Sequence, residues 1–274
     1  MGTLYVVATP IGNLEDVTLR AIRVLREVDL IAAEDTRVTR RLLAHHGIQT
    51  RLTSFFEHTR LRKLDWLLGI LSDQDVALVS DAGTPSISDP GYELVRGAIK
   101  NGVEVVPVPG PSAVVTALVG SGLPTDQFTY FGFLPRQAGE RRRVLQSFAS
   151  EPRTLVGYEA PHRLAASLAD ALQVLGNREA VVARELTKLH EEFRRGDLFS
   201  LSTYFTSTPA RGECTLVIAG MSQTFTPVEP GELESALRTA LADGLRPRDA
   251  IARVVRETGK SRRVVYQAHL AIRD

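Results

Sequence analysis

The chain has one cysteine in 274 residues, two methionines and one tryptophan. With Cys214 alone, neither an intrachain disulfide nor a thiolate metal cluster can form, which suits a reducing compartment and leaves no dithiol for redox chemistry. Lysine is scarce as well: 4 of the 33 basic residues, the other 29 being arginine. No apolar run approaches the roughly 18 to 20 residues that cross a bilayer. Met1 to Ala8 runs into strand-like sequence instead of a signal peptide, so the expected location is the cytoplasm. Net charge is only +1, which argues against a protein that coats nucleic acid nonspecifically. The six histidines form no H-x-x-x-H pair and no serine sits in a G-x-S-x-G elbow, so no metal and no covalent hydrolysis are expected.

What is present is an ordinary globular composition, 43% hydrophobic and 24% charged, at about twice the length of a typical domain. Short apolar runs at Thr3–Ala8, Leu30–Ala33, Val76–Ser80 and Val103–Val108 alternate with helical patterns at Thr18–Glu27, Thr39–His46, Arg60–Leu71 and Tyr92–Lys100. Strands this apolar, separated by helices, predict a parallel sheet covered on both faces. The punctuation Gly120-Ser-Gly-Leu-Pro124 marks a boundary. A second α/β series follows, with strands at Phe128–Phe133, Thr154–Tyr158, Ala180–Arg184 and Cys214–Ala219. Past the Thr/Pro stretch Thr224–Pro230 only helical spacing remains: Leu233, Leu237 and Leu241, then Ile251, Val254 and Val255, then Val264, Val265, Ala268 and Ile272. The expected organisation is α/β for 1–119 and 120–222, with a helical, helix-turn-helix-like module at 231–274.

The glycine- and proline-rich loops fall at predicted carboxyl ends of strands, where open α/β sheets bind ligands. They are Ala8-Thr-Pro-Ile-Gly-Asn13, Asp81 to Gly91 and Pro109-Gly-Pro-Ser-Ala113. None has the spacing of a dinucleotide or triphosphate cradle. Together with Ala33-Glu-Asp-Thr-Arg37, Tyr158-Glu-Ala-Pro-His-Arg163 and Arg184-Glu-Leu-Thr-Lys-Leu-His190, they resemble, in order, the tetrapyrrole methylase superfamily, and within it the branch that methylates small-subunit ribosomal RNA. The resemblance implies two α/β domains with S-adenosylmethionine in the cleft between them, and a homodimer. For that branch it implies methyl transfer to a cytidine ribose 2′-oxygen in the decoding region of 16S RNA, as naked RNA or in the assembled 30S subunit.

Carried over by position, the cofactor residues are Pro10, Ile11 and Gly12, then Asp81, Ser112, Ala113 and Leu186. Asp81 stands in Ser80-Asp81-Ala82, where the superfamily has Gly-Asp-Pro; a turn or helix cap is its alternative role. A ribose hydroxyl benefits from a base, and the candidates taken forward are Glu34 and Glu159, with Asp35, His162, Glu185 and Lys188 behind them. Cations that RNA binding needs occur at Arg37, Arg40 and Arg41, at Arg136 with Arg141, Arg142 and Arg143, for which last three a solvated helix face is the alternative, and at Arg262 and Arg263. These last belong to a tail, Arg246 to Arg273, that holds eight basic residues against two acidic ones. A methylase of a small tetrapyrrole and a noncatalytic RNA-binding factor are the competing readings.

Overall fold

The computed structural model describes residues 1–55, 60–221, 230–258 and 262–272; helical side chains at 60–62, 230–232, 256–258, 262–264 and 267 lie outside that description. By its contacts the chain divides into two compact units, Met1–Met221 and Ser222–Asp274.

The first half of the larger unit alternates strand and helix. Its strands are β1 (Thr3–Val7), β2 (Leu30–Ala33), β3 (Arg51–Ser54), β4 (Val76–Val79) and β5 (Glu104–Val108). They pair in the order β3-β2-β4-β1-β5, all parallel. Helices α1 (Leu19–Glu27) and α2 (Thr36–His45) bury Val24, Leu25, Leu42 and Leu43 with the sheet residues Val7, Ile31 and Val79. Helices α3 (Arg60–Ile70) and α4 (Tyr92–Lys100) supply Leu67 and Leu94 to a second cluster that holds Leu4, Val76 and Leu78. Both faces are therefore covered, as the continuous apolar strands require. Helix α1 begins where expected, because the Thr18 hydroxyl accepts the Ala21 amide at 3.0 Å. Helix α2 begins three residues before the expected start: the Asp35 carboxylate accepts the Arg37 amide at 2.8 Å and caps it from there.

The second sheet holds β6 (Phe128–Phe133), β7 (Thr154–Glu159), β8 (Glu179–Arg184), β9 (Glu192–Asp197) and β10 (Cys214–Ile218), in the order β6-β7-β10-β8-β9. Only β6 and β7 run parallel; the other pairs are antiparallel. Helices α6 (Ala138–Ser147), α7 (Leu164–Leu175) and α8 (Leu198–Ser207) cover one face with Leu145, Leu164, Leu168, Leu198, Leu201 and Phe205. Helix α5 (Ala113–Ser121) covers the other. The expected boundary at 119/120 therefore falls inside a helix that leaves β5 and packs on the second sheet. Its residues Val114, Ala117 and Leu118 bury with Val156, Val181 and Val217, and Ile11 from the loop after β1 joins the same cluster. Loop and helix thus tie the two sheets into one unit.

The smaller unit is three helices, α9 (Pro230–Ala242), α10 (Pro247–Thr258) and α11 (Arg262–Ala271). Leu233, Leu237, Ala250, Ile251, Val254 and Val265 form its core, on the spacing read from the sequence. Among the described residues no helix is long and apolar enough to cross a membrane.

Candidate functional site

The loops after β1, β2, β4 and β5 emerge from one edge of the parallel sheet. Thr9 and Gly83 exchange backbone hydrogen bonds at 2.8 and 3.0 Å, and the Thr9 hydroxyl donates to the Ser80 carbonyl at 3.1 Å. On its other side the β1 loop meets the second sheet, where the Asn13 amide donates to Thr187 Oγ1 at 3.0 Å. Gly12 is required at this contact. A Cβ there would stand 2.5 Å from Lys188 Cγ, 2.8 Å from Thr187 Oγ1 and 2.9 Å from the Leu186 carbonyl.

The opposing loop is held under backbone strain. Glu185 and Thr187 both have positive φ, 50° and 65°, without being glycine. The Glu185 amide donates to the Glu213 carbonyl, and the Lys188 ammonium lies 2.9 Å from both the Glu185 and Glu213 carboxylates. The β4 loop carries a matching pair, Ser86 (φ 71°) and Ser88 (φ 62°). The Ser88 hydroxyl is 2.6 Å from that of Tyr130.

Between the loops lie two adjoining compartments of about 350 Å³ each. The first has apolar walls of Ile11, Ala82, Ala113, Phe133 and Leu186, with Tyr158 and Thr215 among its polar lining. Its charged lining is entirely acidic: Asp89, Glu159 and Glu213. The second lies under α2, between Pro10, Gly12, Leu14, Val38 and Leu42, and is bordered by Asp81, Arg41 and Lys188. Ile11, Ala82 and Glu213 line both.

Carboxylates gather beside the compartments: Asp89 lines the first, Asp81 lines the second, and Glu34 lines neither but stands next to Asp81. Asp81 Oδ1 accepts the Asp35 amide at 2.8 Å, and Glu34 Oε2 faces the Asp81 amide at 3.4 Å. Burial raises both the Glu34 and Asp81 carboxyls, partly offset by these amides. Asp89 is pushed up to about 7, first by burial and then by the charge on Glu34, against a hydrogen bond from Ser80. Cys214, at the foot of β10, also reaches the first compartment. Burial pushes its thiol up to about 11, so it is an inert wall.

Of the expected cofactor residues, Ile11, Ala113 and Leu186 line the first compartment. Pro10, Gly12 and Asp81 line the second, and Ser112 is the N-cap residue of α5 beside Ala113. Glu159 is fully engaged: it pairs with Arg163 at 2.6 Å, accepts from Ser167 Oγ at 2.5 Å and takes the Ala160 amide at 2.8 Å. Arg141 does not face solvent. It is 5% exposed, it ion-pairs with Asp170 at 2.5 Å, and its remaining donors reach the Pro135 and Arg136 carbonyls. An RNA contact from Arg141 is thereby corrected to a structural ion pair, while Arg142 and Arg143 on the same helix are exposed. The side chains of Arg262 and Arg263 lie outside the described residues. Sequence reasoning passed over Asp89, Phe133, Glu213 and Thr215. Asp89 sits eight residues after Asp81 in one Gly/Pro loop with no local pattern to single it out, and Glu213 is brought in only by strand pairing. Among the described residues, no cluster of three or more His, Cys, Asp or Glu is arranged to hold a metal.

The family model for tetrapyrrole (corrin/porphyrin) methylases matches residues 3–202, and that for the RsmI C-terminal HTH domain matches 227–273. A ribosomal RNA small subunit methyltransferase I of Synechocystis is 49% identical, covering 99% of both chains. One from Halalkalibacterium halodurans is 48% identical over 98% of this chain and 94% of that relative. Among solved structures, uroporphyrin-III C-methyl transferase from Thermus thermophilus, complexed with S-adenyl homocysteine, superposes with a TM-score of 0.59. It is 21% identical and covers 80% of this chain and 97% of its own, a likeness of fold. The chain therefore belongs to the tetrapyrrole (corrin/porphyrin) methylases and, within them, to the ribosomal RNA small subunit methyltransferase I family.

Proposed function

We propose that the protein methylates the ribose 2′-oxygen of a cytidine in the decoding region of 16S ribosomal RNA, using S-adenosylmethionine. The observation that carries this reading is the end-to-end similarity, at 48 to 49% identity, to relatives named for small-subunit ribosomal RNA methylation. The cleft supports it. Ile11, Ala113, Leu186 and Phe133 offer an apolar slot for an adenine, and the acidic lining suits a donor that carries a sulfonium and an ammonium. When bound, that donor supplies an electrophilic methyl group whose leaving group departs as a neutral thioether.

The residues then have to orient an alcohol and accept its proton. Orientation alone contributes roughly 7 to 11 kcal/mol in favourable cases. Glu34 and Asp89 are the proton acceptors this reading favours, Asp89 because a carboxyl near 7 is half-ionised at neutral pH and still holds a proton well. Glu159, buried and already holding Arg163, Ser167 and the Ala160 amide, is the weaker of the two expected bases in this reading.

In this reading the protein works in the cytoplasm on ribosomal RNA or the 30S subunit, as a homodimer. Val115 and Val119, one turn apart and 53% and 77% exposed on α5, offer an apolar strip for a second copy. The test of function is transfer from methyl-labelled S-adenosylmethionine to small ribosomal subunits that lack the modification, followed by nucleoside analysis. Label in 2′-O-methylcytidine is expected; label in a porphyrinoid only, or in nothing, refutes the reading.

A further inference from the structure

The two compartments differ in charge in a way that separates donor from acceptor. Among the described residues no cation lines the first, which disfavours a phosphate-bearing ligand. The second has an apolar floor of Pro10, Leu14, Val38 and Leu42, and two cations on its walls. Lys188 is committed to Glu185 and Glu213. Arg41 is exposed and makes no ion pair among the described residues. One turn before it on α2, Arg37 is locked in a fork: its Nε and one terminal nitrogen hold Asp35, at 3.1 and 2.6 Å. The other terminal nitrogen has no partner among the described residues, on a side chain 86% exposed. Arg40, between them, is exposed and likewise unpaired among the described residues. Residues four apart on a helix are neighbours, so Arg37 and Arg41 form one cationic edge above this compartment.

We propose that the second compartment seats the target nucleotide, with its base and ribose on the Pro10–Leu14–Val38–Leu42 floor and its flanking backbone phosphates on Arg37, Arg40 and Arg41 of α2. This deepens the methyltransferase reading and rests on it. Arg37 is prepared for the task, since its guanidinium is oriented by Asp35 before any phosphate arrives. The shared wall of Ile11 and Ala82 is where an alcohol in one compartment meets a methyl group held in the other. Asp81, beside Ala82 on the nucleotide's side, then faces the ribose as much as the donor. At that wall the ribose oxygen enters from under α2, its bond to the methyl carbon forms as the carbon–sulfur bond breaks, and its proton passes to the carboxylates beside the compartments.

The test uses the full chain with charge reversal on a solvated helix face, Arg40→Glu with Arg41→Glu, and the milder Arg41→Gln. Methyl transfer to isolated small subunits is measured against subunit concentration at several salt concentrations, and S-adenosylmethionine binding by calorimetry. The double variant is expected to need about tenfold more subunit for half-maximal rate, and to flatten the salt slope by roughly 0.7 for each phosphate it no longer neutralises, with donor affinity unchanged. Arg41→Gln should show the same changes at smaller size. Wild-type half-saturation and salt slope in the double variant would overturn the proposal. A second readout, fluorescence anisotropy of a short cytidine-containing single-stranded RNA, separates the two failures. If wild type methylates nothing yet RNA affinity falls in the double variant, the reaction is wrong and the phosphate edge stands. If wild type methylates subunits and the variants match it in both assays, the edge is wrong and the reaction stands.

Discussion

Asp89 carries the most informative single charge in the cleft. Its folded-state carboxyl, near 7, lies well above the value of about 3.9 for an unfolded chain. The folded protein therefore binds that proton more tightly, so this group favours folding most below about pH 4, and the advantage disappears as pH rises through 7. Asp89→Asn should consequently raise the melting temperature relative to wild type more at pH 8 than at pH 5. The same variant should cut single-turnover methyl transfer by on the order of 100-fold or more, and abolish a rise in rate centred near pH 7. A pH–rate profile and a melting curve check both; an unchanged profile assigns the proton to Glu34. Donor binding adds positive charge beside Asp89 and should release a proton between pH 6 and 7, seen as a binding enthalpy that varies with the buffer's ionisation heat.

At the scale of elements, the ion pair between α6 and α7 decides how the basic run Arg141–Arg143 is read. Its three arginines look alike in sequence, but the helix buries Arg141 against Asp170, leaves Arg142 at the surface with one nitrogen 3.0 Å from the same carboxylate, and exposes Arg143. Arg141→Ala should lower stability by about 3 to 5 kcal/mol, because it leaves a buried carboxylate without its main partner. Arg143→Ala should leave stability within about 0.5 kcal/mol of wild type. Denaturant unfolding distinguishes them, and equal effects would contradict the burial of Arg141.

The same contrast shows what sequence carries. The strands β1, β2, β4, β5, β6, β7, β8 and β10 are legible because their apolar runs are nearly free of charge, even though β5 and β6 lie at sheet edges. The other two edge strands, β3 and β9, are not: Arg51-Leu-Thr-Ser54 and Glu192-Phe-Arg-Arg-Gly-Asp197 put charge where a neighbour is absent, which blunts an edge but hides the strand. The cleft loops were legible through glycine and proline. The residues that complete the cleft were not, because Asp89, Glu213 and Thr215 are joined to those loops only once the chain has folded and its strands have paired.

For the whole molecule, the smaller unit has its own core and the larger unit holds every residue of the two compartments. A chain ending at Met221 should therefore bind S-adenosylmethionine with wild-type affinity while binding ribosomal RNA more weakly and with a shallower salt dependence. Calorimetry and filter binding test the two halves of that statement; failure to bind the donor would place part of the cofactor site in the helical unit. The central claim is that the seam between the two sheets holds the methyl donor. A crystal structure with S-adenosylhomocysteine tests it most directly. Density for the ligand is predicted in the first compartment, against Ile11, Ala113, Leu186 and Thr215; an empty seam with the ligand bound elsewhere would contradict it.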